Sequence, residues 1–169
     1  MNNKEFFTDR GYEIQAGKDA LTPSMEDYLE MVTRLSNGRG YTRVNELADN
    51  LNVKPASVTK MVRNLCDKSY LHYERYGLIQ LTDKGKQYGQ YLLKRHQLLE
   101  DFFRTFGATG DLQRQVERIE HHISFENYQN LALLLEFFRQ KPDLLDEFYQ
   151  FKDKNTAHDK NQENPLNPE

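Results

Sequence analysis

Residues 44–81 carry the pattern that most narrows the folds open to this chain. The hydrophobic period runs at the helical value, breaks at a tight turn, resumes, and then drops to two. Val44, Leu47, Ala48 and Leu51 fall at i, i+3, i+4 and i+7, and Asn52-Val53-Lys54 makes the turn. Pro55 opens a second helix that buries Val58, Met61, Val62 and Leu65. Two short helices joined this closely read as a helix-turn-helix. After Lys68-Ser69, Leu71, Tyr73 and Arg75 alternate with His72, Glu74 and Tyr76, Gly77 turns, and Leu78-Ile79-Gln80-Leu81 returns as a second strand. A hairpin directly after the second helix is the wing of a winged helix.

The rest of the chain is organised around that unit. Residues 1–20 are polar, mixed in charge and without a sustained period, an extension with no evident anchor. Thr22-Pro23-Ser24 sets a helix start, with Pro in the first turn and Thr or Ser as the cap. Met25, Tyr28, Leu29, Val32 and Leu35 follow at helical spacing until Asn37-Gly38-Arg39-Gly40 stops them, and Tyr41-Thr42-Arg43 reads as a short extended stretch.

Downstream, Thr82-Asp83 caps a long helix with Tyr88, Tyr91, Leu92, Leu98, Leu99, Phe102, Phe103 and Phe106 on one face. Gly107 to Gly110 breaks it, and helices are expected over Leu112–Ile123, Phe125–Gln140 and Pro142–Lys152. Leu131–Phe138 is apolar on more of its circumference than a surface helix should be, so it marks either the centre of a small core or a subunit interface. The expected class is mainly α: an extension over 1–20, a winged helix with a small β-wing over 21–83, a linking helix over 84–106, a helical domain over 107–152, and a disordered polar tail over 153–169.

Composition excludes several alternatives. One cysteine, Cys66, rules out a disulfide framework and a thiolate-rich metal site, and it fits a cytoplasmic protein. The longest apolar run, Leu131–Leu135, is far too short to span a bilayer, so no membrane partner is expected. The formal charge of −3 hides an asymmetry: residues 41–95 hold ten Lys and Arg against five Asp and Glu, while residues 96–151 hold five against ten. A nucleic-acid-contacting module joined to a differently employed one shows such a swing, as does ordinary surface variation.

Ser57, Thr59, Lys60 and Arg63 can reach base edges or phosphates if the second helix of the pair enters a major groove, with Tyr73, Arg75 and Tyr76 of the hairpin meeting the backbone beside it. Double-stranded DNA is the partner this arrangement suits. Helix-turn-helix folds also serve as protein-interaction modules, and exposed Lys and Arg are usually only solvated.

A second constellation groups oxygen and nitrogen ligands. Asp27 and Glu30 are three apart on the first helix, Glu117, Glu120 and His121 stand at i, i+3 and i+4, and His96 lies on the stripe Leu92–His96–Leu99–Phe103. Singly, each has an ordinary explanation in a helix dipole, a neighbouring Arg or a core histidine. Together, four carboxylates drawn toward one core side repel unless neutralised, and two divalent cations would cancel them. Carboxylate plus imidazole without sulfur suits manganese or iron(II). No Gly-rich loop and no nucleophile motif supports an enzyme with a small-molecule substrate, and a metal-dependent hydrolase would need both a cleft and an open ligand position.

Thr22-Pro-Ser-Met-Glu-Asp-Tyr-Leu-Glu30, Ala56-Ser-Val-Thr-Lys-Met-Val62, Leu81-Thr-Asp-Lys-Gly-Lys86, Lys94-Arg-His-Gln-Leu-Leu-Glu100 and Glu117-Arg-Ile-Glu-His-His122 occur in this order, and the chain over about residues 21–152 closely resembles the manganese-responsive branch of the diphtheria-toxin-repressor family of metal-dependent transcription factors. The resemblance implies a homodimer with an α-helical dimerisation domain, bound to operator DNA and repressing manganese uptake genes. It implies a binuclear site for two Mn²⁺ per subunit on Asp27, Glu30, His96, Glu117, Glu120 and His121, one carboxylate bridging. In iron-responsive relatives, a Met and a Cys stand where this chain has Asp27 and Glu117, a departure that favours manganese. The alternative is a metal-independent winged-helix regulator whose acidic cluster is only structural.

Overall fold

A computed structural model describes residues 20–74 and 77–156. The chain forms two compact units whose boundary falls between Arg95 and His96, inside one long helix.

In the first unit, helix α1 (Pro23–Ser36) starts as the sequence dictates: Thr22 Oγ1 accepts from the Met25 amide at 3.3 Å and Pro23 occupies the first turn. Strand β1 (Thr42–Arg43) leads into helix α2 (Val44–Leu51), which Asn52 ends in the left-handed conformation at φ 53°. Asn tolerates that conformation better than most side chains, so the turn closes without a glycine. Helix α3 (Pro55–Asp67) again begins on proline. Strands β2 (Leu71–Tyr73) and β3 (Leu78–Leu81) form the wing, pairing Leu71 with Leu81 and Tyr73 with Ile79. The extended stretch at Thr42–Arg43 does more than connect: it pairs with Leu78 and Ile79, giving a three-stranded antiparallel sheet in the order β1-β3-β2. Leu29, Val32, Leu47, Val58, Val62, Leu65, Ile79 and Leu92 are fully enclosed and form the core.

Helix α4 (Asp83–Thr105) is anchored at its start by Thr82, whose hydroxyl accepts from the Gly85 amide at 2.9 Å and donates to the Ser69 carbonyl at 2.8 Å. Its first half needs two glycines. A methyl group on Gly85 would collide with the Tyr70 carbonyl oxygen, and one on Gly89 with the Thr33 hydroxyl.

In the second unit, the end of α4 is followed by helix α5 (Leu112–Ile119), a 3-10 turn over Glu120–His122, helix α6 (Phe125–Gln140) and helix α7 (Pro142–Thr156). The expected single helix over Leu112–Ile123 is thus an α-helix that tightens after Ile119. The last helix runs four residues into the stretch expected to be a tail, and residues 157–169, like 1–19, lie outside the described residues. Leu99, Leu112, Val116 and Leu135 are the buried aliphatics of this unit. Phe106 meets Phe138 and Phe148 edge-on, each with centroids 5.2 Å apart, a favourable aromatic geometry. Tyr149 Oη donates to the Thr105 carbonyl at 2.6 Å and Lys152 Nζ to the Phe106 carbonyl at 2.9 Å, satisfying acceptors at the end of α4.

Candidate metal centre and nucleic-acid interface

Helix α3 divides its circumference as a groove-reading helix must. Val58, Val62 and Leu65 face the core, while Ser57, Lys60 and Arg63 are exposed. Thr59 is half-buried and its hydroxyl donates to the Pro55 carbonyl at 3.1 Å, so it is already engaged on its own helix. Tyr73 is half-buried on β2, and Arg75 and Tyr76 lie outside the described residues.

The basic block counted in the sequence is not all surface charge. Lys84 is exposed but engaged: its Nζ donates to the Lys68 carbonyl at 3.0 Å and sits 4.1 Å from the centre of the Tyr70 ring. Arg95, also within that block, is only 2% exposed and its Nη2 donates to Glu26 Oε2 at 2.7 Å.

Of the ligand candidates in the first unit, Glu30 is buried and Asp27 exposed. Glu30 Oε1 accepts from Arg34 Nη2 at 2.6 Å and Nε at 3.1 Å, a charge-assisted fork one helical turn along α1. Glu26, which the sequence reading passed over, is 7% exposed and accepts from Tyr88 Oη at 2.7 Å as well as from Arg95. Burial, reinforced by the Glu26 carboxylate, pushes the Tyr88 phenol well above its usual range, so it stays a donor. A signal for this group existed: Glu26 stands three residues before Leu29, and Arg95 three after Leu92, so both charges lie on apolar stripes.

In the second unit, His96 is 7% and Glu120 2% exposed, with His96 Nδ1 3.0 Å from Glu120 Oε2. His96 Nε2 is 3.8 Å from a Glu100 carboxylate oxygen. His121 is half-buried, while Glu117 is exposed and accepts from Gln113 Nε2 at 3.0 Å. Glu120, which opens the 3-10 turn, is buried, whereas Glu117 lies exposed on α5.

This donor set fits a hard or borderline divalent cation. Glu120 is a carboxylate almost fully enclosed, its neighbour is an imidazole, and the unit holds no sulfur. Cys66 belongs to α3 in the first unit, and burial pushes its thiol up, away from a ready thiolate.

Comparison with known proteins agrees with both halves of this picture. Residues 20–78 match the family described as iron dependent repressor, N-terminal DNA binding domain, and residues 82–149 match iron dependent repressor, metal binding and dimerisation domain. The HTH-type transcriptional regulator MntR of Shouchella clausii (strain KSM-K16) is 42% identical over 135 residues, covering 79% of this chain and 94% of that one. The MntR of Listeria monocytogenes serotype 4a (strain HCC23) is 46% identical over 125 residues, covering 73% and 88%. Among solved structures, the manganese regulator SloR superposes with a TM-score of 0.60 at 25% identity, covering 69% of this chain and 55% of that one, so this chain spans about half its length. Among the described residues no helix is long and apolar enough to cross a membrane. The chain belongs to the iron dependent repressor family of metal-dependent, DNA-binding transcriptional regulators, a DNA-binding domain being followed by a metal-binding and dimerisation domain.

Proposed function

We propose that this regulator is a manganese-activated repressor of manganese uptake genes, acting as a homodimer on a palindromic operator. The observation that carries the reading is the buried pairing of His96 with Glu120 in the metal-binding domain, an imidazole–carboxylate pair without sulfur. The MntR names of its relatives support manganese.

On this reading Asp27, Glu30, His96, Glu117, Glu120 and His121 hold two Mn²⁺ per subunit. When bound, the two cations supply the positive charge that four carboxylates lack. Asp27 and Glu30 belong to the DNA-binding domain, and the other four to the metal-binding and dimerisation domain. Glu30 exchanges the Arg34 fork for part of this arrangement, while His96 and Glu120 are already oriented by one another. Ser57, Thr59, Lys60 and Arg63 of α3 face DNA, with Tyr73, Arg75 and Tyr76 on the phosphate backbone. Holding both domains of each subunit in one arrangement fixes the spacing of the two recognition helices in the dimer at about one helical turn of DNA. A hundredfold activation requires about 2.7 kcal/mol of differential metal affinity between the active and inactive arrangements.

Binding of the protein to palindromic operator DNA, titrated with Mn²⁺ and again with a chelator, tests the proposal. Affinity is expected to rise about a hundredfold with Mn²⁺. Equal affinity in the two conditions would falsify it.

A further inference from the structure

We propose that Glu26, Arg95 and Tyr88 form a clamp between α1 and α4, its two charges buried, that positions the neighbouring ligands for metal. It rests on the manganese site proposed above. Glu26 immediately precedes Asp27 and stands one helical turn before Glu30, and Arg95 immediately precedes His96 in the same helix. Both oxygens of the Glu26 carboxylate are used: Oε2 accepts from Arg95 Nη2 and Oε1 from Tyr88 Oη, each at 2.7 Å. Tyr88 and Arg95 are seven residues apart, two turns of α4, so Glu26 grips that helix at two levels. The grip fixes how the helix is rotated and how far it slides.

The reason for a charged clamp here is directional. Two charges taken out of water are a poor source of stability, because an apolar pair of similar volume commonly serves as well. An apolar pair, however, tolerates sliding and rotation that a doubly hydrogen-bonded carboxylate does not. Turning a helix by about 10° moves an atom roughly 6 Å from its axis by about 1 Å, whereas metal–ligand distances tolerate only about 0.2 Å. The close approach at Gly89 to Thr33 adds a steric stop on the same pair of helices. Glu26 and Arg95 are therefore positioning residues: they act through Asp27, Glu30 and His96 and do not themselves ligate.

The test uses the full chain and Mn²⁺ alone. Calorimetric Mn²⁺ affinity and the unfolding midpoint in chelator are measured for the wild type, for the apolar double variant Glu26→Leu with Arg95→Met, and for Tyr88→Phe. The double variant is expected to keep its metal-free midpoint while losing at least about tenfold in Mn²⁺ affinity, and Tyr88→Phe about threefold. A folded double variant with wild-type affinity overturns the clamp. Should the double variant not fold, Tyr88→Phe decides, and unchanged affinity there overturns it equally. A wild type that binds no Mn²⁺ brings down the manganese reading itself, whereas a wild type that binds and variants that match it bring down only the clamp.

Discussion

Glu120 concentrates the site's chemistry in one side chain: a carboxylate almost sealed from solvent, opening a 3-10 turn and facing the His96 imidazole. Enclosing a charge is costly, so removing it should leave the metal-free fold nearly intact while withdrawing a proposed ligand. Glu120→Ala should hold its metal-free unfolding midpoint within a few degrees, yet lose about a hundredfold or more in Mn²⁺ affinity, measured by calorimetry. A variant that still responds fully to manganese would show that Glu120 is not a ligand. The charged residues that could be listed from spacing alone were those in recognisable groups, Asp27 with Glu30 and Glu117 with Glu120 and His121. Glu26 and Arg95 stand on apolar stripes, but nothing local names what they meet there: Glu26 pairs with Tyr88 and Arg95, 62 and 69 residues away in sequence. Pairing over that distance is set by tertiary packing, which no local pattern encodes.

Elements were legible wherever a cap and a period coincided. Thr22 with Pro23, Asn52, Pro55 and Thr82 mark boundaries that side-chain chemistry dictates, and α1 to α4 follow them closely. Strand β1, at two residues, is too short to show alternation, so its pairing with β3 came only with the structure. The switch from α-helix to 3-10 turn after Ile119 was hidden because a three-residue turn barely alters a periodic pattern. For α3, exposure of Lys60 and Arg63 on the face opposite Val58 and Val62 makes a separable prediction. Alanine at either position should weaken operator binding without changing metal stoichiometry. If the lost contact is to phosphate, the slope of log affinity against log salt drops by about 1 for each cation removed. An unchanged slope together with relaxed sequence preference would instead assign that residue to a base edge.

The whole molecule presents apolar surface that its own fold does not cover. Leu133 is 69% and Phe137 47% exposed on α6, and Phe151 on α7 is 66% exposed. The sequence left two readings for the apolar run at Leu131–Phe138, a core or a subunit interface; Leu135 is buried within the unit, while Leu133, Leu134 and Phe137 turn outward. In a domain of a family that dimerises through it, this outward face is where the second subunit is expected. Leu133→Asp should shift sedimentation from dimer to monomer at micromolar concentration and leave helix content unchanged. A variant that remains dimeric would place the interface elsewhere. Stability linked to association also makes the wild-type unfolding midpoint fall on dilution.

The two glycines of α4 carry a consequence for how such a sequence can change through descent. At Gly89 the obstacle is the side chain of Thr33, which another mutation can shorten. Among related chains, alanine or serine at position 89 should therefore accompany a smaller residue at position 33, the two drifting together as a linked pair. At Gly85 the obstacle is the Tyr70 carbonyl, part of the main chain, which every residue at position 70 retains. No exchange of side chains can make room there, so position 85 should stay glycine for as long as the helix rests against that stretch of main chain, while position 89 remains free to wander in company.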